Sequence, residues 1–127
     1  MMKKMPPSFH MPRNRHKQAS MPWQGYVIKV DAGMEPLLLL FNKIPGVATV
    51  ASCAGDDENF GYVAFAGDRR RTVKLWVQRL KESDRSNVLR GTEYSSHTGF
   101  GYIRFEHKHV DRVFSIVLRV LLAESLL

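Results

Sequence analysis

The amino-acid sequence predicts an α+β domain, a two-layer sandwich of order β-α-(β-β-α)×2 with one five-stranded, mostly antiparallel sheet. Three observations predict it. The hexapeptides FGYVAF (Phe60–Phe65) and FGYIRF (Phe100–Phe105) lie forty residues apart. The same shift superposes Val73 on Val113, Val77 on Val117 and Leu80 on Val120, at the i, i+4, i+7 spacing of one helical face. Ahead of these, Tyr26, Ile28 and Val30 alternate with Lys29, as a half-buried strand requires. A strand–strand–helix unit thus occurs twice, an internal duplication behind an initial strand and helix. Two copies are too few for a solenoid and suit a sandwich.

The elements follow in order. The first strand ends near Asp31. Pro36 suits a first helical position, and Leu37–Phe41 carries the helix to Ile44, where Pro45-Gly46 stops it. That helix is apolar almost all round, so it is expected to be deeply buried. Val47–Cys53 is small and β-branched and reads as a strand. Gly55–Asn59 makes a polar turn into FGYVAF. The second helix starts near Asp68, as N-cap, and runs to about Ser83, with Val73, Trp76, Val77 and Leu80 as its buried stripe. Val88–Ser95 reads as a strand, Thr98-Gly99 leads into FGYIRF, and the last helix covers roughly His109–Glu124. The β-α-β-β-α-β portion has ferredoxin-like character. The last helix carries Ile116, Leu118 and Leu122 beside its stripe of Val110, Val113, Phe114, Val117 and Leu121. A helix apolar on two sides lies under another element or forms a homodimer contact through residues 109–124.

The 127 residues make one domain's length, and their 44% hydrophobic and 24% charged composition is globular. The net charge of +7 is uneven. Residues 1–23 hold Lys3, Lys4, Arg13, Arg15 and Lys17 and no acid, whereas the rest sets fourteen basic against twelve acidic residues. The division is therefore a basic tail, 1–23, expected to be disordered, and a domain, 24–127. The tail suits contact with a polyanion, or is simply solvated or an over-extended start. Cys53 is the single cysteine, so no internal disulfide forms and a reducing, cytoplasmic setting is expected. The N-terminus has no apolar run of a secretory signal. The most apolar stretch, Val113–Leu122, is too short to span a bilayer, so no membrane partner is expected. Phosphate-binding glycine loops, metalloprotease helices and nucleophile elbows are missing, and nothing calls for a metal or cofactor.

Period-two alternation puts Val63 and Phe65 on one sheet face, with Phe60 and Tyr62 on the other. It likewise sets Ile103 and Phe105 inward, and Phe100, Tyr102 and Arg104 outward. If helices cover one face only, the other displays a base-stacking surface of Phe60, Tyr62, Phe100 and Tyr102. Thr98–Phe105 resembles the longer signature of RNA-recognition-motif domains, with Thr98 in place of the basic residue. That eight-residue resemblance implies RNA bases on these rings. The plainer reading is cross-strand packing. Arg69, Arg70 and Arg71 open the second helix against its dipole and, with Arg104, are the candidate phosphate contacts, or a solvated face.

A second motif joins Glu35-Pro36-Leu37 through Asn42 to Val47–Gly55, ending in Ser52-Cys53-Ala54-Gly55. These twenty or so residues resemble the N-terminal part of the wybutosine-synthesis tRNA methyltransferase family, and small uncharacterised bacterial and phage proteins with a similar pattern. The resemblance implies a ligand turn of Ser52, Cys53 and Gly55. Asp56 stands where those tRNA enzymes have arginine. A glycine beside small residues lets backbone amides approach a ligand, and Ser52 suits phosphate. Cys53 as a nucleophile would take its base from His97, His107 or His109. The plainer reading is a small buried cysteine and a solvated acidic turn.

Three functions follow from these features. The first is a non-enzymatic domain that binds RNA or a nucleotide. The second is a tRNA-modification-type enzyme acting around Cys53, and the third a dimeric adaptor or phage-encoded interaction protein.

Overall fold

The computed structural model describes residues 3–4 and 17–126. Its strands are β1 (Lys3–Lys4), β2 (Gln18–Trp23), β3 (Tyr26–Asp31), β4 (Val47–Cys53), β5 (Gly61–Gly67), β6 (Leu89–Tyr94) and β7 (Gly101–Phe105). The helices are α1 (Glu35–Phe41), α2 (Arg70–Ser83) and α3 (Val110–Ala123), the last preceded by a 3-10 turn, His107–His109. The α+β class and every expected element are present.

The single five-stranded sheet is not. The six longer strands form two antiparallel sheets, a β2–β3 hairpin and a four-stranded sheet of order β4-β5-β7-β6, and two-residue β1 adds parallel to β3. Side chains tie β4 to the elements that precede it in the chain. The Thr49 amide donates to Asn42 Oδ1 at 2.8 Å, the Thr49 carbonyl accepts from Trp23 Nε1 at 2.9 Å, and the Ala54 amide donates to Asp31 Oδ2 at 2.8 Å. β3 pairs with β2 along its whole length, from Tyr26 to Asp31. Of the ferredoxin-like pattern, the middle survives: β5 and β6 both run antiparallel to β7 between them, so β5-α2-β6 is a split β-α-β unit.

The end of the expected tail also differs. Gln18–Trp23 is a strand whose Met21 and Trp23 are buried in the core. A two-residue turn of Gln24 (φ 46°) and Gly25 (φ 81°) joins it to β3, the backbone that matches hairpin twist. Residues 1–2 and 5–16 of that tail lie outside the described residues.

The forty-residue offset recurs in the geometry. β5 pairs with β7 as Gly61↔Phe105, Val63↔Ile103 and Phe65↔Gly101, a register that maps onto itself when each residue is exchanged for its mate forty positions away. β4 and β6 each break register at the same place, Thr49/Ala51 and Leu89/Gly91. The buried stripe of α2 is Val73, Trp76, Val77 and Leu80, and α3 buries Val113, Ile116, Val117 and Val120. Glycine is required at the seam, because a Cβ on Gly61 would lie 2.6 Å from the Phe105 ring and one on Gly101 2.4 Å from the Phe65 ring.

The helices pack on one face of the four-stranded sheet, over buried Val63, Phe65, Ile103 and Phe105. α3 is packed against both α1 and α2. Its two apolar sides therefore have partners within the chain, and the feature that suggested a dimer contact is accounted for. Leu122, at 57% exposure, is the part left outside. Among the described residues, no helix is long and apolar enough to cross a membrane.

Candidate functional site: the open sheet face

The face turned away from the helices carries the alternate residues of β5 and β7. Tyr62, Tyr102 and Arg104, with Phe100 just before β7, are half-buried and line one groove of about 600 Å³. Its remaining wall and floor are small: Val50, Ala51 and Ala64. Ala64 stands opposite both Ala51 and Tyr102 in register, so neither cross-strand neighbour of Tyr102 on that side fills the space over the sheet. The Phe100 and Tyr102 rings are tilted at 55° with centroids 6.5 Å apart, an aromatic pair at the groove's edge. The Arg104 guanidinium sits 6.0 Å from the Tyr102 ring centre and meets Glu93 Oε1 at 2.5 Å.

Phe60 does not join this group. It is 51% exposed and borders a different groove, lined by Asp56–Asn59 and Glu106–Lys108. The Asp56 carboxylate organises that loop, accepting from the amides of Glu58 and Asn59 at 2.9 Å each. His107 Nε2 lies 2.8 Å from Asp57 Oδ1. Glu106, beside it, has its pKa lowered from the ordinary value, chiefly by its hydrogen bond from Arg90, and Lys108 adds to the effect.

The Ser52–Gly55 turn is built from inside. Cys53 is buried at 1% exposure and its Sγ accepts from the Gly55 amide at 3.4 Å. Asp31, also buried, holds the Ala54 amide. Gly55 takes φ 78°, and a Cβ there would fall 2.3 Å from the Gly61 nitrogen. The small residues and glycine of the motif thus have a packing role, joining β4 to the start of β5. Asn42 shares it, tying the end of α1 to β4.

The arginines at the start of α2 are not gathered with Arg104. Arg70 donates to the Tyr94 hydroxyl at 3.2 Å and the Ser96 carbonyl at 2.9 Å, clamping the β6–β7 loop to α2. Arg69 is the N-cap residue, and Arg69 and Arg71 are exposed. Asp68, expected as the cap, instead accepts from Thr72 Oγ1 at 2.7 Å, which lowers its pKa. Sequence reasoning missed the floor residues Val50, Ala51 and Ala64. Ala51 and Ala64 face one another only because of the β4 bulge, which no local pattern marks.

Comparison of the chain with protein families, curated proteins and solved structures finds no match. The resemblances at residues 35–55 and 98–105 therefore stand on those residues alone.

Proposed function

We propose that this chain binds single-stranded RNA on the open face of the four-stranded sheet, with bases stacked on Tyr62, Phe100 and Tyr102. The observation that carries the reading is the shared groove of these three rings, on the face no helix covers among the described residues. Stacking surfaces need that exposure, and each stacked base contributes about 1–3 kcal/mol. Arg104 is already matched by Glu93, so the groove offers rings and a guanidinium plane more than net charge. Affinity at this face is therefore led by stacking.

The test is fluorescence anisotropy with a short single-stranded RNA. Tyr62→Ala combined with Tyr102→Ala is expected to weaken binding by about 10- to 100-fold, at least one stacking contribution of that size. Arg104→Gln is expected to change the salt dependence by less than one phosphate contact, a log–log slope of roughly 0.7 for single strands. Unchanged RNA affinity in the folded double tyrosine variant would overturn the reading.

A further inference from the structure

We propose that the cleft between the α2–β6 loop and α3 is a second binding site, for a phosphate monoester dianion. The cleft, about 270 Å³, is lined by Arg85 and Ser86 from the loop and by Arg112 and Arg119 from α3. Its place in the helical layer separates it from the sheet groove.

The forty-residue offset shows what is unusual there. Arg79 on α2 forms an ion pair with Glu124. The mates of these two residues, forty positions away, are Arg119 and Asp84. That second pair is not made. Asp84 instead turns both carboxylate oxygens to the backbone, accepting from the Val88 amide at 2.8 Å and the Leu89 amide at 2.9 Å. Arg119 is left with the Ser83 carbonyl at 3.3 Å. Among the described residues, neither Arg119, Arg85 nor Arg112 has a carboxylate partner within ion-pair distance, whereas Arg79, Arg90 and Arg104 each have one.

Three guanidinium groups and one carboxylate leave the lining at +2. A phosphate monoester carries about −1.5 to −2 near neutral pH, and a diester about half of that. Guanidinium forks match phosphate oxygens in pairs, which a spherical anion cannot exploit. The loop is ready-shaped: Asp84 fixes it through two amides, and Asn87 takes a left-handed φ of 54°. Ser86 offers a hydroxyl from that fixed loop, while the Ser115 hydroxyl already donates to the Asp111 carbonyl.

The experiment follows amide and arginine side-chain NMR signals of the full chain at constant ionic strength. Inorganic phosphate and adenosine 5′-monophosphate are compared with dimethyl phosphate, a diester monoanion. Saturable shifts at Arg85–Asn87 are expected with both monoester-type ligands, with dimethyl phosphate at least about tenfold weaker. Arg112→Gln with Arg119→Gln is expected to lower phosphate affinity at least about tenfold, the loss of one charge-assisted hydrogen bond. Tyr62→Ala with Tyr102→Ala is expected to leave it unchanged, which separates this site from the sheet face. Should the double arginine variant unfold, Arg85→Gln gives the same reading from the loop. Shifts that fail to saturate, affinity that ignores the arginine substitutions, or diester binding as tight as monoester would each overturn the proposal.

Discussion

The unit β4–β5–α2 and the unit β6–β7–α3 bury corresponding positions inside and differ more in the side chains they place outside. Toward the helices, Val63 and Phe65 are matched by Ile103 and Phe105, and all four are fully buried. On the open face Tyr62 is matched by Tyr102, but Ala64 by Arg104. The loops differ more: Asp56–Asn59 is acidic and holds His107, whereas Ser95–Gly99 is neutral apart from His97 and is clamped by Arg70. The lesson is that a shared register constrains the packed side alone. Phe65 and Phe105 each lie over a glycine of the facing strand, Gly101 and Gly61, so at the β5–β7 seam ring and glycine constrain one another. The outer face has no such reciprocity, and its charges differ.

The largest effects should come from breaking that reciprocity. Phe65→Ala and Phe105→Ala are each expected to cost about 3–5 kcal/mol, as for other buried aromatic truncations. Their costs in urea unfolding should agree to about 1 kcal/mol, and a wider gap would show that matched geometry does not mean matched energetics. Gly61→Ala and Gly101→Ala come next, at about 1–3 kcal/mol each, because the added methyl drives into Phe105 or Phe65. Combining Gly101→Ala with Phe65→Leu should recover part of the loss, which a double-mutant cycle measures.

A smaller effect sharpens the comparison where the core itself differs. Thr49 is fully buried and, among the described residues, its hydroxyl has no hydrogen-bond partner, while its mate Leu89 is apolar. Thr49→Val is therefore expected to stabilise the fold by about 1 kcal/mol in thermal or urea unfolding, by removing an unsatisfied buried group. The smallest effect is electrostatic and confined to the second unit. Glu106 contacts Arg90 and Lys108, which hold its pKa below the ordinary value, whereas its mate Ala66 has no charge. A lowered carboxylate pKa contributes stability that is present above the unfolded value and is lost as pH falls through the folded one. Arg90→Gln should raise the Glu106 pKa in an NMR titration and remove that small contribution at neutral pH, leaving stability below the folded value unchanged.

Much of this was legible in the sequence because burial writes a period. The stripes of α2 and α3 and the alternation in FGYVAF and FGYIRF mark inward residues directly. The offset then relates the two units without any knowledge of pairing. What escaped was set by contacts distant in sequence. β2 lies in a proline-containing basic stretch, and its signal was modest: Ala19, Met21 and Trp23 alternating before Gln24-Gly25, a two-residue turn. The division into two sheets is a matter of long-range pairing, and the bonds from Trp23 and Asn42 to Thr49 and from Asp31 to Ala54 join residues that no single window of sequence reveals together. At the candidate site, the outward aromatics could be named, but their sorting could not. Phe60 and Phe100 lie forty residues apart and each precedes a Gly-Tyr pair, yet one borders the acidic loop and the other the sheet groove. The arginine cleft was invisible for the same reason, since it joins a loop to a helix more than twenty residues further on.

The matched irregularities of β4 and β6 bear on how this chain stays apart from its neighbours. These are the two outer strands of the four-stranded sheet, where exposed backbone groups could recruit another molecule edge to edge. Each has a register break at the same offset, which twists the edge out of the flat shape that stacking requires. β4 adds the side chains of Trp23 and Asn42 on its backbone groups. β6 has exposed Arg90 and Glu93 instead, placing charge where an incoming strand would lie. One shared distortion and two different supplements thus disfavour strand addition at both edges of the sheet.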